Sequence, residues 1–349
     1  MQYKFENSTK LILYKFTHVS IVLRNRKQLS LNKAVNLNHI SAVKEDLHLD
    51  LHVNIAGMEL KNPVIAASGT FGFGREFSKY FDLNRLGGIS VKGLTLEPRK
   101  GNEPPRIAET PGGILNSVGL QNPGVHAFIR DEIPFLREYD LAIIANIAGN
   151  SIEDYCKMAE ILSEADIDAI ELNVSCPNVK EGCLLFGSTA HGVLEVTQAV
   201  RKVCKKPLIV KLSPNVTDIT EIAKAAEAAG ADCISLINTI LGMAIDIERR
   251  RPVIANIMGG LSGPAVKPVA VRMVYQVAKA VDIPVIGMGG ISNGNDAVEF
   301  LLAGASAVMI GTAGFVNPGV WMETIEGIEG YMKKNRFNNI ADITGALLE

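Results

Sequence analysis

No stretch of about 18 consecutive apolar residues, the length a membrane-spanning helix needs, occurs in the 349-residue chain. No charge of one sign dominates either: 35 Lys and Arg stand against 37 Asp and Glu. A net charge of −2 leaves no global basic field for nucleic acid. Cysteine is scarce. Five stand at positions 156, 176, 183, 204 and 233, an odd number with no CxxC pair. That argues against a disulfide framework or a structural zinc site and fits a reducing compartment. Near the N-terminus, LILYKF and SIVL are too short and too interrupted by charge to form a signal-peptide core. Residues 1–47 lack periodicity and are richer in Lys and Arg than in acids. They are read as an N-terminal extension, disordered or not native to the mature chain, rather than as a transit peptide or membrane-surface arm.

What is present is globular. Hydrophobic residues make up 47% of the chain and charged residues 21%, enough for a full core. From residue 49 onward, eight apolar runs alternate with helical patterns: 63–69, 87–95, 141–149, 168–175, 207–214, 233–240, 284–291 and 307–313. Most are continuously apolar, as in strands buried on both faces of a parallel sheet. Between them, SIEDYCKMAEILSEA places apolar residues at 152, 155, 158, 159 and 162, close to a helical period. Asn150 or Ser151 can cap it, and TDITEIAKAAEAAG and NGNDAVEFLLAGA carry similar start and stop signals. Strand then helix, eight times, predicts an α/β fold of the (β/α)8 TIM-barrel type. A doubly wound open sheet is the alternative, but no early GxGxxG fingerprint supports it. Residues 48–349 are therefore read as a single barrel domain. Segments 96–122 and 241–264 are too long for simple connections and are expected to be ordered insertions covering one face.

Barrel chemistry collects at the carboxyl ends of the strands, and here those ends are consistently polar. They carry Ser68 and Gly69, Lys92 and Gly93, Asn146, Asn173, Lys211, Asn238 and Thr239, Gly289 and Gly290, Gly311 and Thr312. The glycine-rich turns after the seventh and eighth runs match the usual barrel site for a phosphate. They suggest a mononucleotide-like cofactor or a phosphorylated substrate. Lys92 and Lys211 interrupt apolar strands, and a buried lysine needs a partner charge or a function. Either a structural ion pair or a cation facing an anionic ligand satisfies that need. The asparagines offer donors and acceptors but cannot act as acids or bases. No histidine or carboxylate terminates a strand in this set, so a proton acceptor is missing. Cys176, in the stretch ELNVSCPNVKEG, is the candidate. Cys156, Cys204 and Cys233 lie in apolar contexts and read as small core hydrophobes.

Several segments carry a family resemblance. They are NPVIAASGTFGFG, SVKGLTLEPRKGNEPPRIAETPGGILNSVGLQNPG, NVSCPNVKEG, VKLSPNVTDI, LINT, GGLSGPAVKP and GMGGISNGNDAVEFLLAGASAVMIGTA. Over roughly 49–335 the sequence resembles the class 1 dihydroorotate dehydrogenases, the FMN enzymes of pyrimidine biosynthesis. Cysteine in SCPN resembles class 1, since the membrane-associated class 2 enzymes carry serine there. NVKEG with EPRKGNEPPR resembles subclass 1B, which works with a second subunit carrying FAD and a 2Fe–2S cluster and passes electrons to NAD+. Cys183 departs from the subclass, which usually has glycine after KEG.

The resemblance implies roles. Ser68, Lys92, Gly93, Asn146, Asn173, Lys211 and Ile237 would contact FMN. Gly263, Gly289, Gly290, Gly311 and Thr312 would hold its phosphate end. Dihydroorotate would be held by Lys92, Asn116, Ser117, Val118, Gly119, Leu120, Asn173, Asn178, Asn238 and Thr239, with Cys176 as base. The loop around 177–190 would act as a lid. A cytoplasmic enzyme is implied, as a homodimer within a heterotetramer. The alternatives are a fumarate-linked class 1A homodimer and, from another class, a Schiff-base lyase using Lys211.

Overall fold

The computed structural model describes residues 48–175 and 186–348. Its eight apolar runs form eight parallel strands: Val64–Ala66 (β1), Gly88–Ser90 (β2), Ala142–Ile147 (β3), Ala169–Asn173 (β4), Leu208–Lys211 (β5), Cys233–Leu236 (β6), Val285–Met288 (β7) and Ala307–Ile310 (β8). Each strand pairs with the next in sequence, and β8 pairs with β1, so the sheet closes into the expected barrel. Both faces of each strand are buried, which is why the runs are continuously apolar.

Alternation sorts the side chains. On β4, Ile170 and Leu172 join the large core between strands and helices, whereas Ala169 joins a smaller core inside the barrel. That inner core gathers the first residues of several strands, Ala142, Ala169, Cys233 and Ala307, against Ile55, Met58 and Leu60. These last three belong to the hairpin of Val53–Ile55 and Met58–Leu60. The hairpin therefore closes the amino end of the barrel with apolar side chains and leaves the carboxyl end for polar ones.

The main helices are Ile152–Ser163 (α1), Ala190–Val203 (α2), Ile219–Ala228 (α3), Lys267–Ala278 (α4), Gly294–Leu302 (α5) and Val320–Asn335 (α6). Ser151, rather than Asn150, caps α1 by accepting the N–H of Asp154 at 3.2 Å. Tyr155, Met158, Ala159 and Leu162 form its buried stripe. Asp218 and Asn293 cap α3 and α5 in the same way. No helix among the described residues is long and apolar enough to cross a membrane.

The two long insertions meet. Ile107–Thr110 and Gly113–Asn116 from the first, with Ile240–Met243 and Met258–Ser262 from the β6–α4 connection, form one four-stranded antiparallel sheet. Asn116 pairs with Gly260 at its centre. A Cβ on Gly113 would fall 1.8 Å from the Ser262 carbonyl oxygen, and one on Gly263 (φ +105°) would fall 2.6 Å from Gly113 Cα. Glycine at both positions is what lets the insertions pass this closely.

Candidate active site

A chamber opens at the carboxyl end of the barrel. Its lining includes Ser68, Lys92, Gly93, Asn146, Asn173, Lys211, Ile237, Asn238 and Thr239 from the strand ends. Asn116, Val118, Gly119 and Leu120 come from the first insertion, and Ser262 and Gly263 from the second. Gly289, Gly290, Gly311 and Thr312 close the remaining side. The structure thus brings together all but three of the residues singled out from the sequence. Ser117 is fully buried outside the lining, with its hydroxyl unpartnered among the described residues. Cys176 and Asn178 lie outside the described residues, as does Cys183.

Buried polar side chains connect across the floor in one direction. Asn238 Nδ2 donates to Ser175 Oγ at 2.8 Å, and Ser175 Oγ donates to Asn173 Oδ1 at 2.9 Å. Asn173 Nδ2 then donates to Asn146 Oδ1 at 3.3 Å, and Asn146 Nδ2 to Glu171 Oε2 at 2.5 Å. Tyr155 of α1 fixes the strand end by donating its hydroxyl to the Asn173 carbonyl at 2.9 Å. Gly93 is required here, because a Cβ on it would sit 2.9 Å from Asn146 Oδ1.

Lys211 Nζ donates to Ser68 Oγ at 3.3 Å and lies 3.9 Å from Glu171 Oε2. The ion-pair reading offered for this lysine is therefore met, and Lys211 also lines the chamber. Glu171 escaped the sequence reading because it sits inside an apolar run. Its signal was positional: two residues before Asn173, it shares that side chain's inward face. Ser90 and Ser235 were missed for the same reason and also donate to it, each at 2.7 Å.

The glycine turns are braced from behind. Lys267 bonds Asp296 at 2.7 Å and Glu299 at 2.8 Å, and these bonds hold its ammonium above the usual lysine range. Asp296 also accepts the N–H of Ser292 at 2.9 Å, shaping the turn before α5. A Cβ on Gly290 (φ +80°) would meet Lys267 N at 2.8 Å, so this turn requires glycine. Thr312 Oγ1 donates to Ser262 Oγ at 2.8 Å, joining the eighth strand end to the second insertion.

Of the other cysteines, Cys204 and Cys233 are buried and Cys156 is half-buried on α1. The reading of Cys156 as a core residue is thus only partly met. Burial, and then the neighbouring Glu171 carboxylate, pushes the Cys233 thiol well up.

The fold and this chamber define a class: parallel (β/α)8-barrel enzymes with their site at the carboxyl ends of the strands. Within that class the chain belongs to the dihydroorotate dehydrogenase family, whose model, described by that name, matches residues 50–332. A relative from Alkaliphilus metalliredigens is 64% identical over 299 residues, covering 86% of this chain and 99% of its own. One from Thermoanaerobacter pseudethanolicus is 59% identical over 299 residues, with 86% and 99% covered. One from Bacteroides fragilis is 59% identical over 299 residues, with 85% and 99% covered. All three bear the name dihydroorotate dehydrogenase B (NAD(+)), catalytic subunit.

Proposed function

We propose that this chain is the catalytic subunit of an NAD+-linked dihydroorotate dehydrogenase, oxidising (S)-dihydroorotate to orotate in pyrimidine biosynthesis. The observation that carries the reading is the convergence of buried Lys211, Asn146 and Asn173 beside an apolar wall. That wall includes Ile107, Ile114, Ile237, Leu261 and Met309. Such a chamber suits a flat ring with polar edges. Its donor set, two lysines with serine and amide groups, fits the ring of FMN, and the tight glycine turns fit its phosphate. The ring would be held by Ser68, Lys92, Gly93, Asn146, Asn173, Lys211 and Ile237. Gly263, Gly289, Gly290, Gly311 and Thr312 would hold the phosphate end.

When bound, FMN supplies the acceptor for the hydride from C6 of dihydroorotate. The chain's own residues do the rest. Cys176 removes the proton from C5. Lys92, Asn116, Asn178, Asn238 and Thr239 orient the substrate's carboxylate and amide edges, with Ser117, Val118, Gly119 and Leu120 shaping the segment above it. Lys211 stabilises the negative charge that builds up on reduction. A Schiff-base route through Lys211 would leave Glu171, 3.9 Å away, without its ion-pair partner.

The words catalytic subunit in the relatives' names imply a separate partner. We assign to that partner FAD and a 2Fe–2S cluster, carrying electrons on to NAD+. The assembly is a heterotetramer built on a homodimer of this chain, and it is cytoplasmic. Residues 48–349 carry the function as one barrel domain. In support, residues 47–349 form one compact unit, and 299 matched residues span 99% of a relative.

Two measurements test this. Purified full-length protein is expected to show the visible absorbance of a flavin, bleached by dihydroorotate under anaerobic conditions. A colourless protein that loads no added FMN overturns the reading. Electron transfer to NAD+ is expected only with the partner subunit present, and fumarate is expected to be a poor acceptor. Strong fumarate turnover by this chain alone would replace the NAD+-linked assignment with the fumarate-linked one.

A further inference from the structure

Glu171 takes no part in the chemistry proposed above, yet it is wholly buried beneath the chamber. A buried carboxylate is costly unless it is paired and hydrogen-bonded. Here its oxygens accept from Ser90 Oγ, Ser235 Oγ and Asn146 Nδ2, with Lys211 Nζ 3.9 Å away. The amide nitrogen and the ammonium can only donate, so Glu171 is ringed by donors. Among the described residues, no other carboxylate lies within ion-pair distance of Lys211. The Cys233 thiol, pushed up first by burial and then by Glu171, adds no competing charge.

We propose that Glu171 is a positioning residue with two effects: it anchors Lys211 Nζ at the chamber floor, and it sets the direction of the asparagine relay. The first follows from burial. Lys211 is only 5% exposed, and Glu171, 3.9 Å away, is the ion-pair partner that holds its Nζ there. The second follows from donor chemistry. An amide has nearly the same shape when flipped, but a flipped Asn146 would set its carbonyl against the carboxylate. Glu171 therefore turns the Asn146 oxygen toward Asn173 Nδ2. The Asn173 oxygen is left to accept from the backbone N–H and hydroxyl of Ser175, at 3.1 and 2.9 Å. Ser175 in turn accepts from Asn238. Each donor in the series points toward Glu171, so one buried charge orders the amides as far as the rim.

This inference rests on the reading of the chamber as an FMN site, and the test separates the two. Wild type, Glu171→Gln, Lys211→Met and the double variant are compared as full-length proteins. The first readout is the midpoint potential of the bound flavin. Glu171→Gln is expected to lower it, weakening reduced relative to oxidised flavin about tenfold, or about 30 mV for a two-electron couple. In the Lys211→Met background the same change is expected to produce no drop. An unchanged or raised potential in Glu171→Gln overturns the proposal, and so does an equal drop in both backgrounds.

The second readout is thermal melting without flavin. The double variant is expected to lose far less stability than the two single losses combined, because it strands neither charge. Additive losses overturn the pairing. If Glu171→Gln fails to fold, recovery of folded protein in the double variant supports the proposal, and failure of both refutes it. A wild-type protein that binds no flavin removes the cofactor reading, and the melting comparison then decides the Glu171–Lys211 pairing by itself.

Discussion

Replacing Cys176 by alanine is expected to lower dihydroorotate oxidation by about 10²–10⁴-fold, the usual worth of a positioned general base, while FMN stays bound. The argument is by elimination. Among the described residues lining the chamber there is no histidine, aspartate or glutamate, and the titratable side chains are Lys92 and Lys211. In the proposed site both lysines face anionic groups, so neither is assigned the C5 proton. Cys176 lies three residues beyond Asn173, which lines the chamber at the end of β4.

In the proposed role the base is the thiolate, and a free thiol titrates at about 8.5. The rate is therefore expected to rise toward alkaline pH, and Cys176→Ser to lose that profile within the accessible range. Full activity in Cys176→Ala, measured by flavin bleaching in a single turnover, removes Cys176 from the role of base.

Lys211→Met is expected to have the other large effect. Loss of one preorganised electrostatic group at a reacting centre costs about 10²–10³-fold in kcat, and that is the role proposed for Lys211. It is buried at the end of β5, braced by Ser68, and paired below by Glu171. The substitution also strands a carboxylate inside the barrel. Breaking a buried pair from one side costs about 3–5 kcal/mol. The three hydrogen bonds that Glu171 keeps place the loss toward the lower end of that range. A lowered melting temperature together with lost turnover is expected, whereas a slow but normally stable enzyme would contradict the buried pair. Restored kcat in Lys211→Arg would reduce the requirement to charge alone.

The barrel was legible because burial on both faces leaves a continuous apolar run, which composition exposes directly. All eight runs became strands of one closed sheet. The helix starts at Ser151, Asp218 and Asn293 were readable because capping is a local bond between a side chain and the N–H of a residue two or three positions on. Much of the site was legible for a related reason. A lysine or asparagine interrupting an apolar strand carries a desolvation cost that demands an explanation, and Lys211, Asn146 and Asn173 all line the chamber.

The sequence by itself determined the eight-fold alternation, the polar strand ends and the glycine turns. Only the tertiary structure decided that the two insertions share one sheet, since Asn116 and Gly260 pair across more than a hundred intervening residues. It also decided that Ser117 turns into the core, that Cys156 stays near the surface, and that Glu171 lies under Lys211. The reason is one of range. Burial pattern, capping and turn chemistry are written in neighbouring residues, whereas the partner of a buried charge is set by how strands β2 to β6 close around one another.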